Sequence, residues 1–90
     1  MDIKKIRETL SEINPDIMLA DGFEAALIGF VRQFNKTIAL YDREHCIQIL
    51  VTRDGMSVED AEEFFEFNVA GAWVGEGTPG YATFFDDLEE

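Results

Sequence analysis

The chain has 90 residues, 47% of them hydrophobic and eight of them Phe, with a formal net charge of −12 from 19 acidic and 7 basic side chains. That length makes one small domain over residues 1–90, and the apolar content argues for a packed core against the disorder that the charge alone would suggest. The charge is lopsided, with nine acidic and seven basic residues through position 56 but ten acidic and no basic ones from 57 to 90, which disfavours nucleic acid and anionic membranes as direct ligands and favours a basic protein partner.

Residues 2–13, DIKKIRETLSEI, place Ile3, Ile6, Leu10 and Ile13 on one helical face, with Asp2 as N-cap. Asn14-Pro15-Asp16 ends that helix, because proline cannot continue the hydrogen-bond ladder and Asn and Asp favour the turn. IMLADG then leads to Gly22 as a loop or short extended segment. From Glu24 to Asp42 two runs rich in β-branched and aromatic residues flank Asn35-Lys36, which predicts a β-hairpin with strands near 26–33 and 37–41. Residues 24–34 also admit a helix, since Phe23, Ala26, Leu27, Phe30, Val31 and Phe34 fit one helical face; Gly29 and the short turn favour the strand.

Asp42 caps a short helix over 43–53 whose Cys46, Ile47 and Leu50 point inward, with Val51 at the margin, and Asp54-Gly55 stops it. The lone Cys46 excludes an intrachain disulfide, no apolar signal core opens the sequence, and no run reaches the roughly 20 apolar residues of a membrane span, so a cytosolic location is expected. Ser57 starts a second helix over 57–70, with Val58, Ala61, Phe65 and either Asn68 or Val69 on its apolar stripe, Phe64 widening it, and Glu59, Glu62, Glu63 and Glu66 opposite. The two helices turn sharply against each other, yet the glutamates deny the second one a DNA-reading role. The glycines of GAWVGEGTPG predict a loop around 75–80, flanked by short strands or ordered coil at Ala72 to Val74 and Tyr81 to Phe85, the latter able to extend the hairpin; the final DDLEE is expected to fray. The fold class is α+β.

No catalytic motif emerges. His45 and Cys46 are adjacent, so on a helix their side chains diverge by about 100° and cannot form a nucleophile and base pair. One His and one Cys are too few for zinc, the acids lack calcium-loop spacing, and Glu76 lies where the glycine-rich loop would have to receive a phosphate, so no metal or cofactor is expected. Glu59, Glu62, Glu63 and Glu66 instead repeat at three or four residues, putting successive carboxylates about 5–6 Å apart, a spacing similar to that of charges along a nucleic-acid strand. They form either a solvated face or, with Trp73 as anchor and Glu76 beyond it, a face that occupies a basic groove on a partner, although core packing is the more frequent fate of a tryptophan such as Trp73. Three aromatics at 64, 65 and 67 cannot share one core, which leaves Phe64 or Phe67 for a partner or dimer contact.

Residues 41–79 carry Tyr41-Asp42, Cys46-Ile47, Arg53-Asp54-Gly55-Met56, Glu66-Phe67-Asn68-Val69, Gly71-Ala72-Trp73-Val74-Gly75 and Thr78-Pro79, and residues 20–30 read ADGFEAALIGF. In these stretches the chain resembles a widespread family of small proteins of tailed bacteriophages and prophages. The resemblance implies a viral context, with the host cytoplasm as location, and supplies no catalytic residues. In size and charge the chain is similar to small acidic phage proteins that disable host defence, among them anti-CRISPR proteins that present carboxylates to a basic nucleic-acid groove. The leading expectation is therefore a non-enzymatic inhibitor of a host nucleic-acid-binding complex, acting through Glu59, Glu62, Glu63, Glu66, Trp73 and Glu76. The alternative is a phage accessory or structural protein that works as a homo-oligomer, a homodimer included, through Phe67 and Trp73.

Overall fold

The computed structural model describes residues 2–88. The domain is α+β: helix α1 (Ile3–Ile13), a 3-10 turn (Glu24–Ala26), strands β1 (Leu27–Gln33) and β2 (Lys36–Asp42), helices α2 (Arg43–Asp54) and α3 (Val58–Phe65), a π-helical turn (Glu66–Ala70), strand β3 (Gly80–Ala82) and a last 3-10 turn (Phe85–Leu88). β2 is central, antiparallel to β1 on one side and parallel to β3 on the other.

Local chemistry sets the helix ends. Asp2, Asp42 and Ser57 are N-caps, their side-chain oxygens accepting from the backbone N–H of Lys4, His45 and Asp60. Gly55 closes α2 in the left-handed conformation at φ 70°, which a residue with a Cβ adopts only at a cost.

The core lies where α2 and α3 pack against β2, whose Thr37, Ala39 and Tyr41 alternate inward with the period of a half-buried strand. Phe23, Ala26, Cys46, Ile47, Leu50, Ala61 and Phe65 complete it. Tyr81 of β3 lies 5.6 Å from the ring of Tyr41 and meets Phe65 edge-on at 5.1 Å. Asn14, just past α1, donates from Nδ2 to the Thr37 carbonyl at 2.9 Å. α1 is held lightly, since Leu10 is its one buried side chain and lies apart from the main core cluster, and Ile13 is exposed.

Several boundaries differ from the sequence reading. Residues 27–33 are strand, which settles the choice between strand and helix there, and a β-bulge at Ile28 re-aims the start of β1. The hairpin turn is Phe34-Asn35, one residue earlier than expected, because Gln33 pairs with Lys36. α3 widens to π geometry over Glu66–Ala70. Val69 of that turn packs against the core while Asn68 is exposed and donates to the Phe64 carbonyl; Val58, expected inward, is exposed. Ala72 to Val74 form no strand, since the Val74 N–H is taken by the Thr78 hydroxyl at 2.9 Å. β3 covers only Gly80–Ala82, and Asp86 to Leu88 belong to a 3-10 turn where fraying was expected; Glu89 and Glu90 lie outside the described residues.

Phe34 is the first of two turn residues, sits at φ 57° and is 95% exposed, whereas a type II′ turn calls for glycine at that position. Phe34→Gly should stabilise the domain by about 0.5–1 kcal/mol, the left-handed cost to an L-residue less the entropy of glycine, and raise the melting temperature by roughly 2–8 °C; a lower value would show that the turn is unstrained. Burial pushes the Tyr81 hydroxyl up to about 12 from 10.0, with the thiol of Cys46 and the hydroxyl of Tyr41 adding to the shift. The protonated form is thus favoured by folding, so this contribution is intact below pH 10 and lost as the pH rises through 10 toward about 12. Tyr81→Phe should move the alkaline unfolding midpoint upward, read by circular dichroism alongside tyrosinate absorbance; an unchanged midpoint would remove Tyr81 from the transition.

Candidate functional site

The outward side of α3 is built by its phase. Ala61 and Phe65 are buried against α2 and the sheet, so at 100° per residue Glu59, Glu62 and Glu63 project away from them and are exposed. Asp60 lies further round, beside Phe64 and Phe67, and with Met56, Glu63 and Asn68 these residues line a shallow depression of about 370 Å³. Phe67 is 77% exposed. Two residues past the buried Phe65, it lies about 200° round the helix and so faces outward.

The six sequence candidates divide into three environments. Among the described residues Glu59, Glu62 and Glu63 have no cationic partner. Glu66 does: Arg43, at the start of α2, donates to its Oε1 from Nη2 at 2.8 Å and from Nε at 3.0 Å, while the same guanidinium stacks over Phe65 at 5.6 Å. Trp73 and Glu76 form a separate group with Lys36, whose ammonium lies 5.8 Å from the Trp73 ring and 3.5 Å from the Glu76 carboxylate. Lys36 opens β2 and Arg43 follows its last residue, so the two groups lie at opposite ends of a strand about 20 Å long. The expectation of one row of bare carboxylates therefore needs correction at Glu66 and Glu76, which borrow their cations from elements far away in sequence. Trp73 is 67% exposed and outside the core.

The loop that carries Trp73 and Glu76 is fixed from below. Gly77 is buried against the turn after α1, its carbonyl accepting from the Met18 N–H at 3.0 Å, and a Cβ at Gly77 would run into the Asp16 carbonyl oxygen. Sequence alone marks that glycine as a turn former, whereas its role is close backbone approach to a segment some sixty residues earlier.

Cys46 and His45 do not form a reactive pair. Cys46 is fully buried, and burial, with the Asp42 carboxylate nearby, pushes its thiol up to about 12, while His45 is exposed. A thiol so held carries negligible thiolate at neutral pH. Among the described residues no three His, Cys, Asp or Glu side chains gather as a metal-binding group, and no helix is long and apolar enough to cross a membrane.

Comparison of the chain with protein-family models, with characterised proteins and with solved structures finds no match to any of them. The site is a solvent-facing helix side that combines carboxylates without cationic partners among the described residues with exposed aromatic rings.

Gly77→Ala tests the buttress of the Trp73 loop. The added methyl meets backbone and cannot be relieved by a side-chain rotation. It should cost about 1–3 kcal/mol, seen as a melting temperature lower by roughly 4–24 °C and as a change in Trp73 fluorescence. A variant of unchanged stability would mean that the loop does not rest on the turn at Asp16.

Proposed function

We propose that the protein is a non-enzymatic inhibitor of the kind encoded by bacteriophages, which docks its acidic α3 face onto the basic nucleic-acid-binding surface of a host defence protein in the host cytoplasm. The observation that carries this reading is the makeup of that face. Glu59, Asp60, Glu62 and Glu63 are exposed without cationic partners among the described residues, and Phe64 and Phe67 lie exposed beside them. Carboxylates set about one helical turn apart can take up Arg and Lys side chains that otherwise hold phosphates, and the rings supply the apolar area that charge pairing alone lacks. The phage context rests on the resemblance carried by residues 20–30 and 41–79.

Within this reading the six candidates have different roles. Glu59, Glu62 and Glu63 engage cations directly. Glu66 is already satisfied by Arg43 and would contribute only by exchanging that partner, while Trp73 and Glu76 serve a second contact at the far end of β2. An anti-CRISPR-like block would follow from occupancy alone, since a groove filled by protein carboxylates cannot hold its guide or target strand.

The double reversal Glu62→Lys/Glu63→Lys tests the proposal, because both side chains are exposed, outside the core and beyond the first turn of α3. Captured from bacterial lysate in parallel, the wild type should retain nucleic-acid-binding proteins that the variant loses, and added single-stranded or duplex nucleic acid should displace them. Binding should weaken steeply as salt is raised, with the melting temperature of the free variant unchanged or higher as repulsion is relieved. Equal capture by both proteins, or capture indifferent to nucleic acid, would overturn it.

A further inference from the structure

The opposite edge of the sheet carries a second surface. β1 is an edge strand, and every one of its residues from Ile28 to Gln33 is exposed although four of the seven in Leu27–Gln33 are large and apolar. Beside it, Lys5, Ile6, Thr9 and Leu10 of α1 face Leu27, Ile28, Gly29 and Phe30 across an open, mostly apolar groove of about 690 Å³. Exposed edges are normally blunted by proline, inward charges or a covering element; β1 has no proline and a single charge, Arg32.

We infer that this edge pairs with the same edge of a second copy, β1 against β1 antiparallel about a two-fold axis at Val31, joining two three-stranded sheets into one of six strands. Charge selects the partner. Residues 25–41 contain no acidic side chain, only Arg32 and Lys36, so two molecules of net charge −12 can meet here without opposing carboxylates, and the acid-rich α3 lies away from the contact. A strongly acidic chain has few other surfaces on which to meet itself.

Backbone geometry selects the register. The two-residue turn makes Gln33 and Lys36 a hydrogen-bonded pair, so along β1 the groups of Gln33, Val31 and Gly29 turn toward β2 while those of Arg32 and Phe30 turn to the open edge. The Thr37 carbonyl, opposite Arg32, points away from β1 to accept from Asn14, as this alternation requires. An axis at Val31 sets Phe30 of each copy opposite Arg32 of the other, so the outward N–H and carbonyl groups of both satisfy one another. It also places each guanidinium beside a half-exposed phenyl ring on the groove side. An axis at Arg32 would oppose two guanidiniums, and one at Phe30 would run Arg32 into the bulge at Ile28.

Sedimentation equilibrium of the full chain from micromolar to millimolar concentration, with backbone amide exchange measured across the same range, tests the pairing. The Phe30 and Arg32 amides should become protected as the dimer forms, while those of Gly29, Val31 and Gln33 are protected throughout by β2. Arg32→Pro removes one outward donor from each copy and leaves the bonds to β2, and should weaken association roughly tenfold to a hundredfold. Added salt should strengthen the dimer by screening the residual repulsion, the reverse of its effect on docking through α3. A monomer at millimolar concentration, Phe30 and Arg32 amides that exchange freely in a dimer, or a dimer lost in Phe67→Ser/Trp73→Ser but kept in Arg32→Pro would each overturn the inference.

Discussion

The fold turns on Tyr41. It sits in the central strand, 1% exposed, with its hydroxyl accepting from the Ala20 N–H at 2.8 Å and its ring against Tyr81, which in turn meets Phe65 of α3. One side chain thus joins the loop after α1, the short parallel strand and, through Tyr81, helix α3. A strand of three residues has too few ladder bonds to hold itself in place. β3 is held by the aromatic contacts of Tyr81 instead, and removing a ring from such a stack costs about 3–5 kcal/mol. Because the Tyr41 hydroxyl is buried, its partner at Ala20 is obligatory, and burial raises its ionisation above the usual range.

This arrangement makes the two sides of the sheet unequal. On the β3 side, α2, α3 and the aromatic stack fill the space. On the β1 side, α1 contributes one buried side chain, Leu10, and the groove between α1 and β1 stays open. The charges follow the same division, with the unpaired carboxylates on α3 and the acid-free strand at the opposite edge. Under the two proposals above, the surface that would meet a cationic partner and the one that would meet a second copy are thus different.

What was legible in the sequence was local. Asp2, Asp42 and Ser57 act within three residues of themselves and Gly55 within five, and the stripe of Ala61 and Phe65 is a periodicity a linear reading can measure. The missed features depend on contacts across the chain or on subtle backbone choices. Lys36 reaches Glu76 from forty residues away and Arg43 reaches Glu66 from twenty-three, so an acidic stretch with no base in its own sequence acquires two in space. The turn moved to Phe34-Asn35 because strand pairing outweighed the preference of a bulky aromatic for negative φ. Core packing is the commoner reading for Trp73 from sequence, and its exposure goes with a loop that Gly77 docks against Asp16, which no periodicity encodes.

The distribution of cations along α3 narrows which glutamates matter. Glu59 and Asp60 lie in the first turn, where the helix dipole and the exposed N–H groups favour negative charge, so their presence is explained by helix stability alone. Glu66 lies at the other end, where the dipole disfavours it, and that is where Arg43 supplies a guanidinium. Glu62 and Glu63 have neither compensation: mid-helix, with a carboxylate within one turn on either side, they bear repulsion of about 0.2–0.5 kcal/mol per like-charged pair. A cationic surface would convert that repulsion into attraction on contact. The case for a binding face therefore rests most heavily on the two carboxylates for which the fold itself has no use.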